Sequence, residues 1–111
     1  MAKIFRRHDE GGAPVEALPG IGRKTLVHGE RMLMTEFSLA KGRDLPEHAH
    51  PYEQAGYLVK GHIALRIGGV ERDTLPGDSW CVPANVAHGA TVIEDSVALE
   101  IFSPVREDYL P

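Results

Sequence analysis

Three histidines and one glutamine are the residues of this chain whose types and spacing are best suited to chemistry. His48 and His50 are separated by one residue, so on a β-strand their side chains point to the same side. Gln54 lies four residues further on and keeps this parity if the strand continues past Pro51. Together with His88, these residues offer three imidazoles and one amide oxygen, which can hold a divalent transition metal such as Zn, Ni, Mn or Fe and leave positions open for water or substrate.

The second segment of interest, residues 77–88, ends at His88. Pro83 and the turn-forming Asn85 precede this histidine and would steer it inward. Any single histidine is more often structural than a metal ligand, and that is the interpretation for the other three, His8, His28 and His62.

The part of the chain that must position these residues has the pattern of short strands joined by turns. In residues 31–40, one face carries Leu33, Thr35, Phe37 and Leu39. Gly68-Gly69 indicates a two-residue hairpin turn, and Glu94-Asp95 is expected to separate two strands. The further strands are expected over residues 62–67, 70–75, 79–82, 88–93 and 96–102. Such spacing is typical of an all-β sandwich or barrel.

Composition limits the classes of function. The 111 residues fit one domain, and the formal charge of −4 without a basic stripe argues against nucleic-acid binding. One cysteine, Cys81, forms no internal disulfide, and no apolar run indicates a signal peptide or a membrane span, so the expected location is the cytoplasm.

The metal-ligand pattern resembles the two motifs of the cupin family. The first motif, G-x5-H-x-H-x3–4-E-x6-G, is matched at Gly42, His48, His50, Gln54 and Gly61, with Gln in place of Glu. The second, G-x5-P-x-G-x2-H-x3-N, is matched at Gly77, Pro83 and His88, whereas Asn85 and Val92 replace its Gly and Asn. The resemblance implies a double-stranded β-helix, the cupin jelly-roll barrel, over residues 31–111. Residues 1–30 would add short strands that pack on the barrel or on a partner in a homodimer.

A closer resemblance, over residues 48–69, 76–90 and 100–108, is to the KdgF-type proteins of pectin and alginate degradation. It implies ring opening of 4,5-unsaturated monouronates, with a small carboxylated sugar as the ligand. It also implies roles in the activity for Glu100, Phe102 and Arg106, although Glu100 replaces the Asp of that subgroup. Because Gln54 is neutral, the full charge stays on the metal, which favours Lewis-acid chemistry.

Several alternatives stay open at this point. Glu100 and Phe102 share one face of the last strand and Val97, Leu99 and Ile101 the other, so either face could point inward; the resemblance favours Glu100. Residues 106–108 could equally be a solvated charged tail. Trp80 is interpreted as a core or interface anchor. The alternative functions are an iron-dependent cupin dioxygenase and a non-catalytic cupin that binds a small ligand.

Overall fold

The computed structural model describes residues 2–11 and 13–111. Its strands are β1 (Val15–Leu18), β2 (Ile21–His28), β3 (Leu33–Leu39), β4 (Asp44–His48), β5 (Glu53–Ile67), β6 (Val70–Thr74), β7 (Ser79–Val82) and β8 (His88–Ser103). A single 3-10 turn, Glu107–Tyr109, follows the last strand. In these described residues there is no helix of the length and apolarity that a membrane crossing requires.

Two long antiparallel strands, β5 and β8, organise the sheet. They pair with each other along most of their length, and the hydrogen-bonded order is β1-β2-β3-β8-β5-β6, with β4 on β8 and β7 on β5. The early part of β8 lies between β4 and the late part of β5, while its later part lies between β3 and the early part of β5. Each long strand therefore belongs to two halves of the fold, as in a jelly roll. One half contains β4 and β6, and the other contains β1, β2, β3 and β7.

The two halves meet at a bend near Gly61. The β5–β8 register shifts three times between Leu58 and Ile63, and Gly61 has a φ of 100°. A Cβ on Gly61 would lie 2.5 Å from the backbone oxygen of Asp95, so only glycine fits. The expected break at Glu94-Asp95 is wrong, because β8 stays paired through this region and accommodates the bend by the register shifts.

A cluster of buried aliphatic side chains from both halves forms the core. Its members are Ile21, Leu39, Leu58, Ile63, Leu65, Ala90, Val92 and Ala98. The predicted alternation in β3 is confirmed, with Leu33, Thr35 and Leu39 buried. The hairpin at Gly68-Gly69 is also confirmed, since both residues have positive φ and join β5 to β6.

The orientation of β8 decides which chemistry faces inward. Ala98, Glu100 and Phe102 are at most 7% exposed, whereas Leu99 and Ile101 are only half-buried on the outer face. The carboxyl of Glu100 therefore lies inside the fold, and the aliphatic residues between these positions face outward.

Candidate metal centre

Two neighbouring strands and a loop bring the three imidazoles together. His48 ends β4, His88 begins β8, and the two residues are cross-strand partners. His50 lies in the loop that leads into β5, so the strand of His48 does not continue past Pro51 and parity along one strand is not what brings His48, His50 and Gln54 together. One ring nitrogen from each histidine lies within 4.8 Å of the others, and the ring centroids of His48 and His88 are 4.2 Å apart. The structure thus assembles the three histidines that the spacing predicts.

The backbone sets the tautomer of each ring. In His48, His50 and His88, the Nδ1 atom lies 2.9–3.0 Å from a backbone carbonyl oxygen two residues away. A carbonyl only accepts, so each Nδ1 carries the proton and donates it. With the proton on Nδ1, the neutral form of each ring presents the lone pair of Nε2, and this is the form of imidazole that binds metals.

The Nε2 atom of His88 provides the test of whether a cation fits. It is buried and has no hydrogen-bond partner in the part of the chain that the structure describes. Burial lowers the pKa of His88 below 6.5, and the neighbouring rings of His48 and His50 lower it further, so the lone pair is free at neutral pH. A buried acceptor without a donor is costly, and a coordinated cation removes that cost.

Gln54, at the start of β5, presents an amide oxygen beside this histidine cluster. Its side chain is buried, and its Oε1 lies 3.0 Å from Nε2 of His50. With this amide oxygen, the set of three imidazole nitrogens and one oxygen suits a divalent transition metal.

The loop before β8 is tied to the loop before β5. The backbone N–H of Asn85 donates to the carbonyl oxygen of His50 at 2.7 Å. Asn85 has a φ of 65°, a conformation that asparagine tolerates better than most residues and that explains a glycine at this place in the cupin motif. The bond fixes the segment that precedes His88 against His50.

A cavity of about 350 Å³ opens beside the candidate ligands. Such a volume suits a small molecule. Its wall includes His48, Gln54, Trp80, His88, Glu100, Phe102, Arg106 and Tyr109, and elsewhere it is lined mainly by core side chains.

Two carboxyl groups lie on this wall, the exposed Glu47 and the buried Glu100, and Glu100 is the one enclosed by the fold. Burial raises its pKa to about 8, while the polar side chains of Gln54 and Trp80 act in the opposite direction. Its Oε2 is buried and has no hydrogen-bond partner in residues 2–11 and 13–111. Before any cation binds, Glu100 is therefore largely protonated at neutral pH and can donate a proton into the cavity.

Arg106 is held at the cavity by aromatic rings. Its guanidinium carbon lies 3.8 Å from the ring centroid of Tyr109, 5.0 Å from that of Phe102 and 5.1 Å from that of Tyr52. It also donates to Asp108 at 2.9 Å, and its side chain is only 15% exposed. The interpretation of residues 106–108 as a solvated tail is therefore wrong for Arg106, whereas Glu107 and Asp108 are exposed.

The sequence reasoning missed two parts of this arrangement. Tyr109 follows Arg106 by three residues, the spacing that eclipses side chains in a 3-10 turn, and this was the available signal. Trp80 packs on the core as expected but also lines the cavity beside Glu100, which no local pattern indicates.

The remaining histidines lie outside the cluster, as predicted. His8 contacts Glu36, and His62 contacts Asp73. His28 is in β2, where its backbone pairs with Lys3.

Comparison with known proteins agrees with this architecture. The family model for the cupin domain matches residues 35–103, and the chain belongs to the cupin family. An RmlC-like cupin from Shewanella frigidimarina superimposes with a TM-score of 0.91 at 28% identity, over 97% of this chain and 96% of that chain. KdgF from Halomonas sp. superimposes with a TM-score of 0.89 at 30% identity, over 99% of this chain and 100% of that chain. No curated protein sequence matches.

Fold, histidine group and similarity together define the class. The protein is a small cupin that resembles KdgF, and its three clustered histidines support a divalent metal site. The similarity also supports a small molecule as the ligand.

Proposed function

We propose that this cupin is a metal-dependent enzyme that opens the ring of 4,5-unsaturated monouronates to linear keto sugar acids. One observation carries the proposal: a buried carboxyl, Glu100, lies on the wall of the cavity that also holds Arg106 and two of the three clustered histidines, His48 and His88. This reaction uses three elements: a proton donor, an arginine that binds the carboxylate of the substrate, and a metal centre.

The reaction requires a proton to be moved but no atom to be added. As the bond between C1 and the ring oxygen opens, the anomeric hydroxyl loses its proton and C1 becomes an aldehyde. The ring oxygen becomes the carbonyl at C5, and C4 gains a proton as the C4=C5 double bond is lost. Substrate and product are therefore isomers, and no external oxidant or reductant takes part.

Glu100 delivers the proton to C4 in this proposal. Its carboxyl is enclosed, and burial raises its pKa to about 8, which favours the protonated acid. A carboxylic acid kept protonated by an enclosed environment is a competent general acid.

Arg106 binds the carboxylate of the sugar acid. Three aromatic rings and Asp108 restrict the guanidinium, so little side-chain freedom is lost on binding. Its planar fork can make two parallel hydrogen bonds to a carboxylate. Phe102, fully buried below it, shapes the sugar pocket.

His48, His50, Gln54 and His88 would hold the metal. A divalent cation there, Zn, Ni, Mn or Fe, supplies Lewis-acid polarisation of sugar oxygens. Because all four side chains are neutral, the ligand set leaves its charge undiminished.

Loss of the C4=C5 absorbance tests the proposal. Unsaturated galacturonate and mannuronate monomers are mixed with metal-loaded protein and with chelator-stripped protein, since these sugars also open unaided. A metal-dependent acceleration supports the proposal. No acceleration by verified metal-loaded protein rejects it and directs attention to oxygen uptake with bound iron.

We also propose a homodimer that pairs through the sheet of β3, β8 and the early part of β5, on the face that points away from the core. Leu99 and Tyr57 are cross-strand partners on that face, and Ile101 pairs with Met34 and Ala55. Tyr57 is 48% exposed, so an apolar surface lies open in the single chain. Size-exclusion chromatography with light scattering should show a dimer, and Leu99→Lys should yield the monomer; a monomeric wild-type protein contradicts the proposal.

A further inference from the structure

The strand that carries His48 is weakly held by its backbone. Among the described strands β4 pairs only with β8, and the register shifts between Leu45 and His48. Pro46, inside this shift, has no N–H to donate. His48 is also the exposed member of the histidine cluster. Backbone pairing alone therefore leaves the end of β4 poorly fixed.

A guanidinium on another strand of the sheet holds β4 by hydrogen bonds and ion pairs. Arg66, on β5, donates to the carboxylate of Glu47 at 2.6 Å and to that of Asp44 at 3.4 Å. It also donates to the backbone oxygen of Leu45 at 3.5 Å and to Thr91 of β8 at 3.0 Å. Three residues of the five in β4 are thus bound by a single side chain on another strand.

Gly89 makes this contact possible. Arg66 and Gly89 are cross-strand partners, and β8 lies between β4 and β5. A Cβ on Gly89 would collide with the carboxylate of Glu47 and would lie 2.6 Å from the backbone oxygen of Leu45. The missing side chain leaves the space through which Glu47 crosses β8 to reach Arg66. Glu47 directly precedes His48, and Gly89 directly follows His88.

We propose that Arg66 is a positioning residue for the metal centre, acting through a clamp that consists of Arg66, Glu47 and Asp44. The clamp fixes β4 across β8 and thereby holds the ring of His48 at its place opposite His88. This inference rests on the metal site of the proposed function. It adds a role for a side chain whose hydrogen bonds and ion pairs in the described residues include none to the candidate ligands.

The positive charge of Arg66, considered by itself, predicts the opposite change in metal affinity. Arg66 is a positive charge near the site, and its removal would by electrostatics alone strengthen the binding of a cation. Removal of the clamp instead loosens His48 and weakens binding, because a ligand that must first be ordered binds less tightly. The direction of the change in metal affinity therefore separates the two explanations.

Zn²⁺ titration against a chromophoric chelator measures this direction. Chelator-stripped wild-type protein is compared with Arg66→Met, which keeps much of the aliphatic stem, and with Arg72→Met. Arg72 lies on β6 and forms no ion pair in the described residues. Its variant therefore loses one positive charge, as Arg66→Met does, without breaking an ion pair. We expect Arg66→Met to bind Zn²⁺ about three- to tenfold more weakly, below the 10–100-fold typical of direct partners of metal ligands. Arg72→Met should match the wild-type protein. Unchanged or tighter binding by Arg66→Met overturns the proposal.

Hydrogen exchange of the metal-free protein tests the clamp without any metal. The amides of residues 44, 45, 47 and 48 should exchange faster in Arg66→Met than in the wild-type protein, whereas those of β3 should not change. Equal exchange in β4 also overturns the proposal. Glu47→Gln should act in the same direction, and the double variant should lose less than the sum of the two. A wild-type protein that binds no Zn²⁺ counts against the proposed function, and the exchange result then decides on the clamp.

Discussion

Glu100 combines a reactive group with an enclosed position. It is 7% exposed, and its Oε2 has no partner in the described chain. Glu100→Gln keeps the size of the side chain but removes the proton that the proposed reaction needs. We expect turnover of unsaturated uronates to fall at least ~100-fold, in line with the loss of a general acid, while bound metal measured by elemental analysis is unchanged.

Glu107→Gln is the matched control for this variant, since Glu107 is an exposed carboxyl in the same segment of chain. It should keep wild-type turnover. Turnover retained by Glu100→Gln would remove Glu100 from the mechanism.

The planar shape of the Arg106 side chain matters as well as its charge. Lysine keeps the charge but loses the planar fork and the stacking on Tyr109, which lies 3.8 Å from the guanidinium carbon. Arg106→Lys should therefore raise KM about tenfold or more, with a smaller effect on kcat, in steady-state assays. Arg72→Lys is the control, and an unchanged KM for Arg106→Lys would show that Arg106 does not bind the carboxylate.

At the scale of elements, the bend in β5 joins the two halves of the fold. Gly61 and Gly69 both have positive φ, but a Cβ on Gly69 would meet no atom within 4 Å, whereas one on Gly61 would meet the backbone of Asp95. Gly69→Ala should thus cost only the ~1–2 kcal/mol of left-handed backbone. Gly61→Ala should cost at least twice that, measured by urea denaturation. Equal losses would show that the close approach at the bend does not constrain the fold.

Periodicity in the sequence predicts most strands because one buried face repeats every second residue. It could not decide the orientation of β8, where Leu99 and Ile101 are as apolar as a core demands and Glu100 is charged. The inward carboxyl violates the usual burial rule, and such violations occur where a site requires them. The continuity of β8 through Glu94 was missed for a related reason, since pairing with β5 outweighs the local turn preference.

The site itself is a product of the whole molecule. The histidine motif predicts which three imidazoles come together, but strand parity does not explain how, because His48 ends β4 and His88 begins β8 whereas His50 lies in the loop before β5. The cage around Arg106 was not predictable, since it joins Tyr52 to residues 106 and 109 of the chain end, and Thr25 of β2 donates to the backbone oxygen of Tyr109. Contacts over such distances along the chain depend on how the two halves close.

Because Glu100 is buried in the folded molecule, the free energy of unfolding depends on pH. In metal-free protein its pKa is raised from 4.5 to about 8. Below pH 4.5 both folded and unfolded states hold the proton. Between pH 4.5 and 8 the unfolded chain releases the proton while the folded protein keeps it, so the free energy of unfolding falls as pH rises, by up to ~1.4 kcal/mol per pH unit.

Glu100→Gln removes this contribution. With chelator present, urea denaturation at pH 5, 6.5, 8 and 9 should show the variant gaining stability over wild type as pH rises to 8, with little further gain at pH 9. Metal-loaded protein should show a smaller difference, because a nearby cation favours the ionised carboxylate and lowers its pKa. Parallel pH profiles for the two metal-free proteins would mean that Glu100 titrates alike in the folded and unfolded states, and that the closed cavity does not keep it protonated.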